Sequence, residues 1–200
     1  MAQASSTIDV RQGILDTAHR IVGAKGFSGV GLNEILLAAR VPKGSFYHYF
    51  GSKEAFGEAL LADYFAAYLA DIDVTLAEPG RSHAERLMAY WCKWQATQGS
   101  VDQQRKCLAV KLAAEVSDLS EPMRLALKAG TAGIIERVTG AIEAGVADGS
   151  LRVEGDARET AEMLYQLWLG ASLMAKINRS DAPFEAALAT TRRVLDLQPS

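Results

Sequence analysis

The chain is punctuated throughout as a series of helices, and this pattern limits its fold more than any other feature. Apolar residues recur at three- and four-residue spacing, and breaks rich in Gly, Pro, Ser and Asp separate the segments. Such spacing places apolar side chains on one face of a helix. The nearest approach to an alternating strand pattern, residues 151–153, is too short for a sheet. We therefore predict an all-α protein of about nine helices and no sheet.

Three short helices are predicted near the N-terminus. Ser6 or Thr7 can cap the first helix, which ends at Gly26 because glycine readily adopts the left-handed backbone conformation. The second is predicted over about Leu32 to Ala39. The third is predicted over Lys43 to Tyr49, directly after a proline that stops its predecessor.

Longer helices follow, beginning with one that runs from a Ser52 cap to about Ala77. The change in helix length divides the chain into residues 8–52 and residues 53–200. We expect the first domain to be a small binding head and the second to be a helical body.

Composition restricts the class of protein. About half of the 200 residues are apolar (49%), which is enough for a sizeable core and argues against general disorder. No apolar run is long enough for a membrane span, and the N-terminal residues do not resemble a secretory signal. Two cysteines are too few for a disulfide framework. A soluble cytoplasmic protein is expected, with no membrane association.

Charge is distributed unevenly along the chain. The whole chain carries −3, but residues 10–53 contain six basic and two acidic residues. That segment therefore carries +4 and the remainder −7. A basic segment on an acidic body is expected where one end of a protein meets nucleic acid, although clustering by chance gives the same numbers.

The segment 41–50 (VPKGSFYHYF) combines a cation, small residues and a Tyr-His-Tyr run in a short helix. With the preceding helix and turn it predicts a helix-turn-helix, in which small residues let the helix enter a DNA groove and donors reach phosphates. An ordinary surface turn between core helices is the alternative. The predicted DNA-binding residues are Lys43, Gly44, Ser45, Tyr47, His48, Tyr49 and Lys53.

With Gly26-Phe27 upstream and Ser52-Lys53-Glu54 downstream, this segment resembles the TetR family of repressors over roughly residues 10–60. The resemblance implies an all-α homodimer that binds a pseudo-palindromic DNA operator through two heads. It also implies that Lys53 contacts a phosphate. Gly31 departs from the family, which often has a hydroxyl residue there that caps the second helix and contacts phosphate.

Cys107 follows Arg105 and Lys106 near the predicted start of a helix. Positive charge and a helix N-terminus both favour the thiolate, which attacks electrophiles and oxidants. A small buried hydrophobe is the alternative. Cys92 lacks a cationic setting and is predicted to pack in the core, and a Cys92–Cys107 disulfide has no support in the sequence.

The segment from Cys107 to Glu121, together with residues 167–171 and 175–177, resembles the electrophile-sensing branch of TetR repressors that controls N-ethylmaleimide reductase. The resemblance implies that Cys107 is the sensing residue. It also matches Lys176 to a lysine that could stabilise the thiolate or form a sulfur–nitrogen link with its oxidised form. A solvated lysine at a helix end is the alternative.

Four aromatic residues are candidates for lining a ligand cavity: Trp91, Trp94, Tyr165 and Trp168. They could equally belong to the core. The last two helices, about Asp156 to Asn178 and Pro183 to Leu195, are amphipathic. In the TetR family such a pair meets its copy as a four-helix bundle, whereas a monomer would bury the same faces internally.

The leading hypothesis is a repressor that is released from its operator by an electrophile or oxidant acting at Cys107. The first alternative is a repressor released by a non-covalently bound small organic inducer. An enzyme with a cysteine nucleophile is disfavoured, because His19, His48 and His83 form no acid–base constellation in the sequence. A helical interaction module without DNA binding is the remaining alternative. No cofactor and no metal site are predicted.

Overall fold

The structure of the protein is a computed structural model that describes residues 2–99 and 108–197. Within these ranges the chain forms nine α-helices and no β-strand, which confirms the predicted all-α class. Their bounds are α1 Ala2–Lys25, α2 Leu32–Ala39, α3 Lys43–Phe50, α4 Lys53–Leu76, α5 His83–Gly99, α6 Leu108–Leu119, α7 Glu121–Ala147, α8 Ala157–Asn178 and α9 Ala182–Val194.

Most helix ends agree with the local signals in the sequence. Gly26 follows α1 with φ of 84°, in the left-handed region that glycine favours. The Ser52 hydroxyl accepts a hydrogen bond from the Ala55 N–H at 3.0 Å, and Asp156 accepts from the N–H groups of two residues in the first turn of α8. These contacts satisfy backbone donors that have no partner inside the helix.

The predicted start of α1 is wrong. The helix begins at Ala2 and runs through Ser6 and Thr7 without a break. The residues before the expected cap, Ala2 to Ala4, favour the helical conformation, so nothing in them stops the helix from extending.

Two compact units are present. One contains the described parts of residues 1–67 and 102–130, and the other contains those of residues 68–101 and 131–200. The helices α4 and α7 contribute residues to both units. This division follows packing, so the expected functional boundary after residue 52 stays a prediction.

The first unit contains α1, α2, α3 and α6. Helix α2 packs against both α1 and α3. The core of the first unit includes buried residues from each of these four helices, for example Ile14, Ile35, Phe46 and Leu112. Helix α6 buries residues at a four-residue spacing, Leu108, Leu112 and Val116, as expected of an amphipathic helix.

In the second unit α8 packs against α9, and α9 also contacts α5. Ion pairs join other elements of this unit: the Arg137 guanidinium donates to both carboxylate oxygens of Asp73, at 2.6 and 2.9 Å. The His83 Nδ1 atom lies 2.6 Å from an Asp148 carboxylate oxygen. Hydrogen bonds from the Ser150 side chain, followed by those from His83, lower the pKa of Asp148.

None of the helices in residues 2–99 and 108–197 combines the length and the apolar character that crossing a lipid bilayer requires.

Gly130 of α7 faces the ring of Phe65, and a Cβ placed there would lie 2.1 Å from a ring carbon. We expect Gly130→Ala to lower the free energy of unfolding by about 1–3 kcal/mol, because the ring must move in a packed core. At Gly140, on the same helix, a Cβ would meet no side chain and no other helix within 4 Å. Gly140→Ala should raise that free energy by about 0.5–1 kcal/mol, since alanine favours the helix. Urea unfolding of both variants checks the opposite signs.

Candidate nucleic-acid interface and sensing residues

Helix α3 is held in place by the aromatic side chains on its inner face. Phe46 and Phe50 are buried, and the ring of Phe56 from α4 lies 5.2 Å from the first and 5.0 Å from the second, centroid to centroid. Pro42 caps the helix with extended backbone angles, φ −63° and ψ 148°. An aromatic anchor of this kind fixes the helix and turns its other face outward.

The outer face of α3 carries most of the residues predicted to bind DNA. Lys43, Gly44, Tyr47 and His48 are exposed, and Tyr47 is 45% accessible. The Lys43 ammonium lies 6.0 Å from the centre of the Tyr47 ring. A cation, a phenol and an imidazole therefore share one solvent-facing surface, and together they can donate hydrogen bonds to phosphates and base edges.

Two of the predicted residues on α3 are less accessible. Ser45 and Tyr49 are half-buried, and the Tyr49 ring packs edge-on against His48 at 5.3 Å between centroids. Tyr49 therefore supports the position of the exposed imidazole. Whether either residue contacts DNA stays a prediction.

The turn between α2 and α3 has the geometry of a helix-turn-helix. Gly31 caps α2 with extended backbone angles and no side-chain hydrogen bond, as its lack of a side chain requires. Arg40 ends α2 in the left-handed conformation, with φ of 56°. The Val41 N–H then donates to the Leu36 carbonyl at 3.0 Å, which closes the turn. Ile35 and Leu36 are buried beneath it.

Lys53, the predicted phosphate contact, makes internal contacts in this structure. Its ammonium donates to the Val30 carbonyl at 3.0 Å and lies 5.0 Å from the centre of the Phe27 ring. The side chain is half-buried as a result. An ammonium has three N–H donors, so this arrangement leaves capacity for a phosphate oxygen. The phosphate role stays a prediction.

The structure describes one of the two proposed sensing residues, Lys176. Cys107 lies outside the described residues, one position before α6 begins. Lys176 lies in the last turn of α8, and its side chain is exposed. The sensing role of both residues stays a prediction.

The prediction that Cys92 packs in the core is wrong, because its side chain is exposed and its thiol is free. The buried face of α5 is formed by Leu87, Trp91 and Trp94, at four- and three-residue spacing. Cys92 follows Trp91 and so lies about 100° around the helix from it. The position of Cys92 relative to the buried face of α5 predicts its exposure, whereas the apolar character of a cysteine side chain suggests burial.

The four predicted cavity residues lie together in the second unit. The Trp91 and Trp168 rings stack at 5.0 Å with an angle of 14° between their planes, and Tyr165 packs edge-on against Trp94 at 5.8 Å. All four are buried. The Trp94 indole N–H donates to the Ser172 hydroxyl at 2.9 Å, so part of this cluster also serves as core. A role in ligand binding stays a prediction.

Helix α8 has a second apolar face that the structure leaves exposed. Leu164, Trp168 and Ala171 point into the core. A different strip stays exposed around Gly170, formed by Met163, Leu173, Met174 and Ile177, which are between 44% and 63% accessible. Exposed large apolar residues grouped on one helix face are typical of an interface with another protein.

Two residues that sequence reasoning gave no role, Lys111 and Glu115 of α6, contact the end of α1. The Lys111 ammonium donates to the carbonyls of Gly23 and Ala24, each at 2.5 Å. The Glu115 carboxylate accepts hydrogen bonds from the N–H groups that follow α1, including that of Phe27 at 3.2 Å. Their four-residue spacing was the only signal in the sequence, and it suggests an ordinary pair within one helix.

Among the residues that the structure describes, no three His, Cys, Asp or Glu side chains group closely enough to hold a metal ion.

Comparison with known families decides the class of the protein. The sequence model of the family described as bacterial regulatory proteins, tetR family, matches residues 14–60, which include the whole of α2 and α3. A second family model, that of the tetracyclin repressor-like C-terminal domain, matches residues 84–191, which is more than half of the chain. The chain belongs to the TetR family.

Individual TetR-family relatives extend over nearly the whole chain. The transcriptional repressor NemR of Escherichia coli K12 is 43% identical over 194 residues, which cover 94% of each protein. The repressor DhaR of a Mycobacterium species is 32% identical, covering 92% of this chain and 96% of DhaR. The crystal structure of reduced E. coli NemR superposes with a TM-score of 0.90 and 42% identity, covering 96% of this chain and all of NemR. The homologues of this TetR-family chain are thus helix-turn-helix transcriptional regulators.

Proposed function

We propose that this TetR-family protein is a transcriptional repressor that binds duplex operator DNA through α3. The observation that carries the proposal is the exposed face of α3, with Lys43, Tyr47 and His48 held outward by the buried Phe46 and Phe50. Helix-turn-helix proteins read DNA with such a helix in the major groove. A transcriptional repressor must reach the DNA, so we propose that the protein is cytoplasmic.

Operator recognition requires two heads, because one small head contacts too few base pairs to select a site. Two heads spaced about 34–36 Å apart fit successive major grooves on one face of a duplex. The exposed apolar strip on α8 supplies a surface through which two copies can pair. We therefore infer a homodimer, built on α8 and α9, that binds a pseudo-palindromic operator.

Release is proposed to follow from chemistry at Cys107, because this cysteine follows Arg105 and Lys106 and neighbouring positive charge favours the thiolate. The relative NemR, 43% identical to this chain over 94% of its length, has been crystallised in a reduced form, which supports redox chemistry in that protein. With an unsaturated electrophile, the thiolate sulfur forms a bond to carbon, and the displaced π electrons take a proton from water. With hypochlorite, the thiolate gives a sulfenyl chloride and hydroxide. The Lys176 amine can then displace chloride, forming a sulfur–nitrogen bond and releasing HCl.

A non-covalent organic inducer remains the second candidate, because the aromatic cluster around Trp91 and Trp168 offers stacking surfaces of the kind that bind planar molecules. Enzymatic activity is not part of the proposed function. His19 and His83 each pair with an aspartate, and neither imidazole is hydrogen-bonded to a serine or cysteine within the described part of the chain.

Replacement of Lys43 tests the DNA interface. We expect Lys43→Ala to weaken binding to all duplexes and to reduce the slope of log affinity against log salt concentration by about 1, because one phosphate contact is lost. Arg81→Ala is the matched control, since Arg81 is an exposed cation between α4 and α5 that pairs with Glu78. Fluorescence anisotropy over a salt series measures both slopes. An unchanged slope in Lys43→Ala contradicts the proposed contact.

Replacement of each cysteine separates covalent sensing from non-covalent induction. We expect Cys107→Ser to stay on the operator after treatment with methylglyoxal or hypochlorite, because serine lacks a nucleophilic thiolate. Cys92→Ser, which removes the exposed thiol of α5, should be released like the wild type. Gel-shift titration measures release, and release of Cys107→Ser would refute thiol sensing. In hypochlorite-treated wild type, mass spectrometry should find the Cys107 and Lys176 peptides joined and lighter by two hydrogens.

A charge on the apolar strip of α8 tests the dimer. We expect Ile177→Asp to produce monomers in sedimentation velocity, because the carboxylate would be buried without a partner at the interface. Val74→Asp is the control, since Val74 of α4 is also an exposed apolar residue, 72% accessible compared with 63% for Ile177. Both single chains should keep their fold, as exposed substitutions change stability by only about 0.5 kcal/mol. Dimers of Ile177→Asp would place the interface elsewhere.

A further inference from the structure

The end of α1 presents a set of backbone groups that have no partner within the helix. The last carbonyls of a helix and the N–H groups of the turn that follows must find partners elsewhere. Here the turn contains Gly26 in the left-handed conformation and leads, through Phe27 and Ser28, toward α2. The first helix of the helix-turn-helix is therefore joined to α1 by this turn.

Two adjacent turns of α6 supply the missing partners. We define the α6 clamp as Lys111 and Glu115. The Lys111 ammonium donates to the last α1 carbonyls, and a cation at a helix C-terminus is favoured by the helix dipole. The Glu115 carboxylate accepts from the backbone N–H groups of Phe27 and Ser28. Successive N–H groups after a left-handed residue form an anion-binding concavity.

The backbone of the turn is shaped to receive this carboxylate. A Cβ at Gly26 would lie 2.9 Å from the nearer Glu115 oxygen, so a glycine both permits the left-handed angle and leaves room for the contact. Burial on its own raises the pKa of Glu115. Hydrogen bonds from Ser28 and Phe27, together with the charge of Lys111, outweigh it and lower the pKa overall. The carboxylate is therefore ionised at neutral pH, as the clamp requires.

The clamp restricts the movement of α6 along α1. Four hydrogen bonds, each with a charged partner, join adjacent turns of α6 to one stretch of backbone. Such bonds are stronger than neutral ones and depend closely on distance. A shift of α6 must either break them or carry the end of α1 and the following turn with it. Helix α6 begins at Leu108, the residue after Cys107.

We propose that Lys111 and Glu115 are positioning residues that transmit the inducer-dependent movement of α6 to the DNA-binding head. The inference rests on the proposed release by thiol chemistry. Untreated protein holds the head through the clamp in the operator-binding arrangement. Modification next to the start of α6 displaces that helix, and the clamp carries the displacement to α1 and α2. An effector changes affinity only if its two states differ in such contacts.

The first experiment measures coupling in a Cys92→Ser background with N-ethylmaleimide as the electrophile. Its readout is the ratio of operator dissociation constants with and without treatment, measured on a duplex selected from a random pool. We expect Lys111→Met and Glu115→Gln to reduce this ratio at least about tenfold, toward 1, because the displacement no longer reaches α1. Lys111→Arg, which keeps the cation and its donors, should restore the ratio.

Other outcomes of this experiment are distinguishable. A purely structural role would lower the melting temperature of Lys111→Met and Glu115→Gln and weaken binding equally in both states, which leaves the ratio unchanged and overturns the proposal. If the parent protein itself shows no change on treatment, the proposed function fails instead. Asp118→Asn, an exposed change at the other end of α6, is the control for loss of a charge on this helix.

A second measurement does not depend on the variants binding DNA. Amide hydrogen exchange of Phe27 and Ser28, the donors to Glu115, reports whether the clamp is closed. In the Cys92→Ser protein we expect N-ethylmaleimide to change exchange at these two amides by about tenfold or more, with little change at amides in the middle of α1. Unchanged exchange at both amides, in protein that does leave the operator, overturns the proposal.

Discussion

The contact of Phe46 and Phe50 with Phe56 is the interaction on which the DNA-binding head depends. Helix α3 has only eight residues, and helices of that length do not form alone in water. Full burial of a phenylalanine stabilises a fold by about 1.5–3 kcal/mol relative to an exposed one, so two such side chains on one short helix offset part of its ordering entropy. The polar outer face is available for DNA because the aromatic inner face fixes the helix.

The head is also attached to the rest of its unit at the opposite end of the helix-turn-helix. There the contacts are ionic and directional, between α6 and the turn after α1. An apolar cluster tolerates small sliding movements, whereas hydrogen bonds to a lysine and a glutamate are lost over a fraction of an ångström to an ångström. The two attachments thus suit different tasks: the phenylalanines keep α3 on its support, and the contacts with α6 suit the relay of movement to α1 that we propose.

The local parts of this structure could be predicted from the sequence, since Gly26, Pro42, Ser52 and Asp156 act on their nearest neighbours. The helix-turn-helix was predictable for the same reason. The partner of Glu115 was not, because its hydrogen bonds reach a residue 88 positions away and depend on how α6 packs. Cys92 is exposed because the buried face of α5 points in another direction. The chemical nature of a cysteine side chain does not show that direction.

The central claim is that α3 enters the major groove of duplex DNA twice per dimer. Dimethyl sulfate footprinting, on a duplex that the protein selects from a random pool, tests it most directly. The reagent modifies guanine N7, which lies in the major groove. We expect protected guanines in two segments on one face of the duplex, about one helical turn apart or a multiple of it. Binding without any protection of guanine N7, or protection in a single segment, would contradict the claim.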